Sequence, residues 1–273
     1  SIAEKLNQKT AARVAELKKT GRTPKLAVVL VGEDKPSQTY VRRKGKAAER
    51  VGMEFDLHEL KNEIRTETLL EMLNKIQSDK TVSGLIVQLP LPDHINTNAI
   101  LNAINPELDV DCLTDVNLGK LVMKTNTIVP PTPGAVMSIL HELNVDLIGK
   151  NVTIIGAGPL VGKPLAIMLM NERASVTTCN SKTLDTKKKC LTADIIVTGV
   201  GKKDLITATM VKEGVVIIDA GICFEDGKAA GDVDFTSVSG KASVITPAIG
   251  GVGPLTVAKL LENTVIAAEK KHL

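Results

Sequence analysis

The pattern of apolar and polar positions predicts alternating helices and strands along the first half of the chain. Apolar residues from Ile2 to Leu17 recur at helical spacing, and this pattern ends at Gly21. The apolar run LAVVLVG (26–32) is typical of a strand buried on both faces. A helical stretch after Ser37, a strand near MEFDLHEL, a helix over TETLLEMLNKI and a strand in SGLIVQLPLP follow. This alternation predicts parallel α/β construction.

The middle of the chain interrupts this pattern. The segments NPELDVDCLTD and TIVPPTPGAV are rich in Pro, Asp and Thr, which predicts loop and linker before a new helix near Pro133. From Lys150 the pattern restarts with the strand NVTII, the turn GAGPLVG, the helix PLAIMLM and the strands ASVTT, ADIIVTG and VVIID. The final segment, GPLTVAKLLENTVIAAEKK, predicts one amphipathic helix. The second half is thus expected to form a Rossmann-like, doubly wound nucleotide-binding sheet.

Composition narrows the classes of function. With 43% hydrophobic residues but only three Phe and no Trp, the cores are expected to be aliphatic, and platforms for stacking single-stranded nucleic acid are absent. A formal net charge of +3 with interspersed signs permits an anionic small substrate without indicating one. The absence of a long apolar segment predicts a soluble, cytoplasmic protein. Dispersed cysteines predict reduced, mostly buried thiols and no metal site: Cys112, Cys179, Cys190 and Cys223.

A glycine-rich turn is the clearest local motif. Gly156, Gly158 and Gly162 follow an apolar strand and precede a helix, where backbone amides can bind a pyrophosphate. The spacing is one residue longer than G-x-G-x-x-G, and a tight turn without a ligand remains an alternative. The segment TTCNSKT (177–183) lacks the acid that usually binds the ribose of NAD. Ser181, together with the lysine that follows it, favours NADP, although an uncommitted polar loop stays open.

The stretch SQTYVRRK contains the only tyrosine of the chain. Tyr40 and Lys44 are four residues apart and would share one face of a helix, where burial can lower a lysine pKa enough for proton transfer. Arg42, Arg43 and Lys46 support the alternative of a solvated basic helix, which spacing alone favours. Short-chain dehydrogenases use a Y-x-x-x-K pair, but theirs follows the nucleotide-binding turn, whereas this pair precedes it.

The motifs taken together resemble one family. The segments S-x-x-Y-V-x-x-K, VQLPLP, DVD, IIGAGPLVGKP, GVVIIDAGI, GDVDF and ITPAIGGVGPLTVAKLLENT occur in order between about Lys5 and Glu269. This ensemble resembles the bifunctional methylenetetrahydrofolate dehydrogenase/cyclohydrolase family. The resemblance implies a folate-binding catalytic domain (1–134 and 253–273) and a Rossmann-like dinucleotide-binding domain (135–252). The C-terminal helix would return to the first domain.

The resemblance also implies the chemistry and the assembly. Members oxidise 5,10-methylenetetrahydrofolate with NADP and hydrolyse the methenyl product to 10-formyltetrahydrofolate in one cleft, within one-carbon metabolism and purine biosynthesis. A homodimer built through the nucleotide domains is expected. Lys44 would assist water attack and proton transfer, Tyr40 would pack on the folate, Gln88 would tune the lysine, and Asp111 would bind the pteridine.

Further positions follow from the same resemblance. The substrate-binding set comprises Tyr40, Val87, Gln88, Leu89, Asp111, Pro247, Gly250 and Gly251. The cofactor-binding set comprises Gly156, Ala157, Gly158, Val161, Gly162, Ser181, Lys182, Gly201 and Ile222.

Several positions depart from the family pattern. Ala157 replaces an arginine that commonly contacts the 2′-phosphate, so NAD remains possible as the cofactor. The other departures are Asn180, Pro131 for cysteine, Cys112 for glycine, and Ala248-Ile249 for Val-Pro. Three alternatives stay open: a dehydrogenase without cyclohydrolase activity, a shikimate-dehydrogenase-like enzyme, and a non-catalytic folate- or dinucleotide-binding protein.

Overall fold

The chain divides into two compact units. A computed structural model describes residues 1–225 and 228–271. One unit comprises Ser1–Pro131 with Val257–Leu273, and the other comprises Thr132–Thr256. The expected domain limits, at residues 134 and 253, differ from these by three and four residues (134 against 131, 253 against 257).

The first unit is built around a short parallel sheet. Its strands lie in the order β2-β1-β3, with both pairs parallel. Its elements are α1 (Ile2–Lys19), β1 (Lys25–Val31), α2 (Lys35–Arg50), β2 (Glu54–Leu60), α3 (Thr66–Ser78), β3 (Val82–Val87), α4 (Thr97–Asn102) and α5 (Asp115–Val122).

The central strand β1 is buried on both faces, as the apolar run predicts. Leu26 and Val28 join a core cluster with residues of α1 and α2, whereas Ala27 and Val29 join a second cluster with residues of α3. Successive side chains of a strand point to opposite faces, so both faces need apolar residues when helices cover both. The continuous apolar run is therefore explained by the position of this strand in a sheet between two layers of helices.

The second unit is a five-stranded parallel sheet in the order β10-β7-β6-β4-β5. The chain runs from β4 to β5 at one edge and then crosses to β6 on the other side of β4. This reversal creates a switch point, where parallel α/β sheets bind ligands at the carboxyl ends of the strands. The remaining elements are α6 (Pro131–Glu142), β4 (Asn151–Ile155), α7 (Gly162–Asn171), β5 (Ser175–Cys179), α8 (Thr186–Leu191), β6 (Ile195–Thr198), a 3-10 turn (Ala208–Met210), β7 (Val216–Asp219), β8 (Cys223–Glu225), β9 (Lys228–Ala230), α9 (Phe235–Val238), β10 (Val244–Ile245) and α10 (Val252–Lys270).

The C-terminal helix α10 packs within the first unit from Val257 onward, which confirms that expectation. The Nδ2 of Asn263, almost fully buried, donates to the carbonyl oxygens of Val110 and Val129 at 2.8 Å each. A buried amide that binds two separate loop segments fixes both of them to the helix. One of those segments is the D-V-D motif.

Three local predictions differ from the structure. Helix α2 begins after Asp34, whose carboxylate accepts the backbone N–H of Ser37 at 2.8 Å, so Ser37 lies inside the helix. Helix α6 begins at Pro131 rather than near Pro133, since proline needs no partner for an N–H at a first helical position. The central segment expected as loop contains α5, a short helix capped by Thr114.

Candidate functional site

Helix α2 places Tyr40 and Lys44 on one face. Both side chains are partly buried, whereas Arg42 and Arg43 are exposed. Gly45 permits this arrangement, because a Cβ there would lie 3.0 Å from the ring of Phe55 on β2. Close packing of α2 against the sheet therefore carries Lys44 inward. The two arginines keep the solvent-facing role that the basic-helix alternative gave to the whole stretch.

Lys44 contacts Gln88, which lies directly after β3. The lysine Nζ donates to the Gln88 Oε1 at 3.0 Å. The backbone N–H of Gln88 donates to the carbonyl of Val29 at 2.8 Å, which continues the pairing of β3 with β1. Its side-chain Nε2 donates to the carbonyl oxygen of Leu89 at 2.7 Å. The amide is thus fixed with its oxygen facing the lysine.

The two acids of the D-V-D motif have different roles. Asp109 is buried and accepts from the backbone N–H groups of Leu113 at 3.1 Å and Thr114 at 2.9 Å. It also accepts from the Nδ2 of Asn117 at 2.9 Å. Asp109 therefore holds the loop in shape, and Asp111 is the acid that interacts electrostatically with Lys44. This role of Asp109 was not predicted from the sequence, because the helix that begins at Asp115 is itself too short to be predicted from periodicity.

Burial and mutual charge set the proton affinities of this group. Burial lowers the pKa of Lys44, and the carboxylate of Asp111 opposes that change. Burial raises the pKa of Asp111, the lysine lowers it, and Asp109 raises it. Burial also raises the pKa of Tyr40, against a smaller opposite effect of Arg43. Lys44 therefore holds a larger neutral fraction than an exposed lysine, which suits acid/base chemistry.

The glycine-rich turn follows β4 at the switch point of the second sheet. Gly156 has φ +105°, and its N–H donates to the carbonyl of Cys179 at 2.9 Å. A Cβ on Gly162 would clash with the carbonyl oxygen of Gly156, so glycine lets the first turn of α7 approach the loop. Gly158 borders open space. The structure thus brings Gly156, Ala157, Gly158, Val161 and Gly162 into one turn at a helix N-terminus, the arrangement that suits a pyrophosphate.

Ser181 and Lys182 lie in a turn directly after β5. Asn180 shapes it: its Oδ1 accepts the N–H of Lys182, and its own N–H donates to Thr183 Oγ1, each at 2.8 Å. Both Ser181 and Lys182 are exposed, and within the described part of the chain neither side chain has a hydrogen bond. The lysine ammonium is available for an anion.

A buried acid that the sequence interpretation missed shapes the loop carrying Gly201. Asp232 is fully buried, and its carboxylate accepts from Thr198 Oγ1 at 2.6 Å. It also accepts from the N–H groups of Val200 and Lys202 at 2.7 Å each. Gly201 lies beside the carbonyl of Ile222, so the structure brings these two predicted cofactor contacts together. The signal was the GDVDF segment, to which no role had been given.

The predicted substrate residues divide between the units. Pro247, Gly250 and Gly251 lie between β10 and α10 in the second unit, and a Cβ on Gly251 would clash with the carbonyl of Pro247. The other members lie in the first unit: Tyr40, Val87, Gln88, Leu89 and Asp111.

The burial of the cysteines matches the expectation that most of them lie inside the protein. All four are unpaired, and Cys112, Cys179 and Cys190 are buried. Cys112, where the family resemblance implies glycine, has φ +58°, a left-handed conformation that costs a residue other than glycine about 1 kcal/mol. Within residues 1–225 and 228–271, no cluster of three or more His, Cys, Asp or Glu is suited to a metal ion. In the same part of the chain, no helix is long and apolar enough to cross a membrane.

Two family profiles match the chain over most of its length. Residues 1–111 match the catalytic domain of tetrahydrofolate dehydrogenase/cyclohydrolase, and residues 130–272 match its NAD(P)-binding domain. The chain belongs to the tetrahydrofolate dehydrogenase/cyclohydrolase family. This confirms the family resemblance and places the Lys44 cluster in the catalytic domain and the glycine-rich turn in the NAD(P)-binding domain.

Individual family members are similar along almost the whole chain. The bifunctional protein FolD of Campylobacter concisus is 47% identical over 272 residues, which cover 99% of this chain and 96% of that protein. The crystal structure of FolD from Campylobacter jejuni has a TM-score of 0.96 at 42% identity and covers 98% of this chain and 96% of that one. The Trypanosoma brucei dehydrogenase-cyclohydrolase, complexed with NADP and an inhibitor, has a TM-score of 0.95 at 36% identity and covers 98% and 95%. Membership of the folate family favours this interpretation over the shikimate-dehydrogenase-like alternative.

Proposed function

We propose that this protein oxidises 5,10-methylenetetrahydrofolate to the methenyl form with a nicotinamide dinucleotide and hydrolyses that product to 10-formyltetrahydrofolate. The observation that carries the proposal is the contact of Lys44 with Gln88 at 3.0 Å beside Asp111, within the family's catalytic domain. A lysine with a lowered pKa, held by an oriented amide, is what hydrolysis of a cationic carbon requires. The dehydrogenase-only alternative would leave this arrangement without a role.

Lys44 serves the hydrolytic step by moving protons. Water that attacks the methenyl carbon must lose a proton, and the neutral amine of Lys44 accepts it. The resulting adduct opens when one of its nitrogens takes the proton of the ammonium formed in the first stage, and the hydroxyl proton passes to solvent as the formyl carbonyl forms. Gln88 holds the Nζ in place, because its own amide is fixed by Val29 and Leu89.

Tyr40 and Asp111 position the folate in this proposal. The aromatic ring of Tyr40 lies one helical turn before Lys44, where it can pack on a flat pteridine. Asp111 accepts hydrogen bonds from the pteridine, since its carboxylate is not needed to hold the loop, which Asp109 does. Val87 and Leu89, in the same unit, belong to the substrate set, as the family resemblance implies.

The second unit binds the dinucleotide, which accepts the hydride when bound. The turn from Gly156 to Gly162 receives the pyrophosphate, and the loop held by Asp232 presents Gly201 beside Ile222. We assign NADP as the cofactor, with the exposed Ser181 and Lys182 contacting the 2′-phosphate. Ala157 specifically favours a second candidate, an NAD-dependent enzyme, because the usual arginine is absent.

We further propose a cytoplasmic homodimer. The four unpaired cysteines suit a reducing compartment. Strand β5 forms one edge of the second sheet, and exposed apolar residues flank it: Met170 on α7, Leu184 after the strand and Leu191 on α8. Exposed apolar side chains beside a sheet edge are features of a surface that associates with another chain.

The two activities can be tested separately. Supplying 5,10-methylenetetrahydrofolate with NADP and, in parallel, with NAD while following reduced cofactor tests the oxidation. We expect turnover in at least one arm, with NADP favoured. Adding 5,10-methenyltetrahydrofolate alone and following its loss tests the hydrolysis. No reduction of either cofactor would reject the dehydrogenase, and a methenyl compound as stable as in buffer would reject the cyclohydrolase.

A further inference from the structure

A cavity of about 310 Å³ lies within the first unit, and none of the proposed site residues lines it. Its walls come from the end of α3, the segments around residues 105–108 and 126–128, and the last turns of α10. The buried residues Cys112 and Asn117 also line it. The cavity is therefore separate from the residues proposed to bind folate.

The cavity concentrates positive charge. Lys80, Lys120, Lys270 and Lys271 line it, against one carboxylate, that of Glu107. The Nζ of Lys271 donates to the carbonyl oxygens of Lys80 at 2.9 Å and Val82 at 2.8 Å. Burial and the nearby charge of Lys80 lower the pKa of Lys271, and the charges of Asp79 and Glu107 partly oppose that change. The lysines of the lining therefore outnumber the carboxylates that act on them.

This excess of positive charge is only partly balanced inside the described part of the chain. None of the four lysines has a carboxylate within ion-pair distance there, whereas Lys25 pairs with Asp79 at 3.4 Å and Lys259 pairs with Glu262 at 2.9 Å. Gathering like charges around one cavity costs free energy, and an anion bound in the cavity would offset that cost. The charge pattern thus favours a negatively charged ligand.

The other lining residues indicate which class of anion would fit the cavity. Leu108, Ile128 and Ile266 give apolar surface. The polar lining residues hold the walls: Gln77 donates to the carbonyl of Ala103 at 3.1 Å, and Asn126 donates to the carbonyl of Ile128 at 3.0 Å. A ligand with several negative groups on a small carbon skeleton would match both the cationic rim and the apolar wall.

We propose that this cavity binds a small organic polyanion that carries two or more phosphate or carboxylate groups. The site is coupled to the folate-binding loop through Asn117, whose Nδ2 donates to Asp109 Oδ2 at 2.9 Å and to the carbonyl of Pro106 at 2.9 Å. Asp111 lies between Asp109 and the cavity residue Cys112. Occupancy therefore changes the Michaelis constant for folate, a consequence that rests on the proposed function of Asp111.

Calorimetric titration of the full chain at constant ionic strength tests the binding. Citrate and inorganic pyrophosphate serve as the carboxylate and phosphate probes, each in the presence of excess NADP to occupy the dinucleotide site. The pocket variant Lys120→Gln/Lys270→Gln is compared with Lys9→Gln/Lys75→Gln, which removes the same charge from exposed positions outside the cavity. We expect at least one probe to bind saturably, about tenfold more weakly to the pocket variant and unchanged to its control.

A variant of opposite sign sharpens the test. Glu107→Gln removes the one carboxylate among the described lining residues and should tighten the same probe several-fold, whereas Glu63→Gln at an exposed position outside the cavity should not. No saturable binding by either probe, or equal weakening in both lysine pairs, would overturn the site. Binding with an unchanged Michaelis constant for folate would overturn only the coupling to Asp111, and the basal activities of all these variants test the proposed function independently.

Discussion

Lys44 differs from the other basic residues of α2 because it is carried inward. Its pKa is lowered by burial, and the same burial aligns it with Gln88. Arg42, Arg43 and Lys46 on the same helix remain exposed and have no such partner in the described part of the chain. Burial and the contact with Gln88, and not positive charge, therefore distinguish Lys44 from the other basic residues of this helix.

Replacing Lys44 by methionine tests its acid/base role. Lys44→Met should reduce methenyl hydrolysis by about 10² to 10⁴, because the group that exchanges protons is lost, while folate binding changes little. Stopped-flow absorbance and a folate binding titration measure the two quantities. Lys46→Met is the matched control and should retain wild-type hydrolysis. In the wild type, hydrolysis should rise with pH as Lys44 loses its proton, with a midpoint below the ordinary lysine pKa of 10.5. Unchanged hydrolysis in Lys44→Met would reject the assigned role.

Asp219 gives a prediction about stability. Burial, together with the neighbouring Asp232, raises the pKa of Asp219 from 3.8 to about 6, although backbone N–H groups oppose the change. Between these two values the folded protein holds a proton that the unfolded chain has lost, so the free energy of unfolding falls as pH rises. The contribution is fully present below pH 3.8 and its loss, about 3 kcal/mol, is complete above pH 6.

Asp219→Asn should remove this dependence. Urea unfolding at several values between pH 4 and 7 measures the free energy of unfolding of both proteins. Relative to the variant, the wild type should lose free energy of unfolding as pH rises. Asp234→Asn is an informative comparison, because hydrogen bonds from Ser237 lower the pKa of Asp234, so its contribution changes only below about pH 4 and this variant should show little pH trend in the same range. A constant difference between wild type and Asp219→Asn across this range would contradict the raised pKa.

At the scale of elements, regular apolar periodicity allowed strands and helices to be predicted, whereas contacts that depend on single side chains could not be predicted. Strand β1 was predictable because every one of its core positions is apolar. Helix α5 was not, since eight residues give barely two turns and its neighbours are rich in Pro, Asp and Thr. The sequence also could not separate Asp109 from Asp111, because which acid folds back onto the loop depends on backbone geometry. The cluster of Lys44 with Gln88 rested on the family resemblance, since residues 44 apart in sequence carry no local spacing signal.

The glycine-rich turn sets the choice of cofactor in our proposal. Ala157→Arg adds a guanidinium at the position where the family resemblance implies a contact with the 2′-phosphate, so it should raise the preference for NADP over NAD by about tenfold or more. The ratio of kcat/KM for the two cofactors measures this change. Ala157→Gln adds length without charge and should leave the ratio near that of the wild type. A ratio in the arginine variant that is unchanged from the wild type would mean that the 2′-phosphate lies elsewhere.

At the scale of the whole molecule, one edge of the second sheet has the features of an interface with another chain. Strand β5 is an edge strand, and the apolar side chains of Met170 and Leu184 beside it are 54% and 88% exposed. Burying such groups against a second copy would stabilise a dimer through the hydrophobic effect. Light scattering after size exclusion should therefore give twice the mass of one chain.

A matched pair of methionines locates the interface. Met170→Asp places a charge beside β5 and should weaken dimerisation at least about tenfold, because the carboxylate would lose its hydration on association. Met123→Asp makes the same change at the end of α5 in the first unit, where methionine is 73% exposed, and should leave the dimer intact. Sedimentation equilibrium measures both dissociation constants. A monomeric wild type would reject the dimer, and equal weakening by both variants would move the interface away from β5.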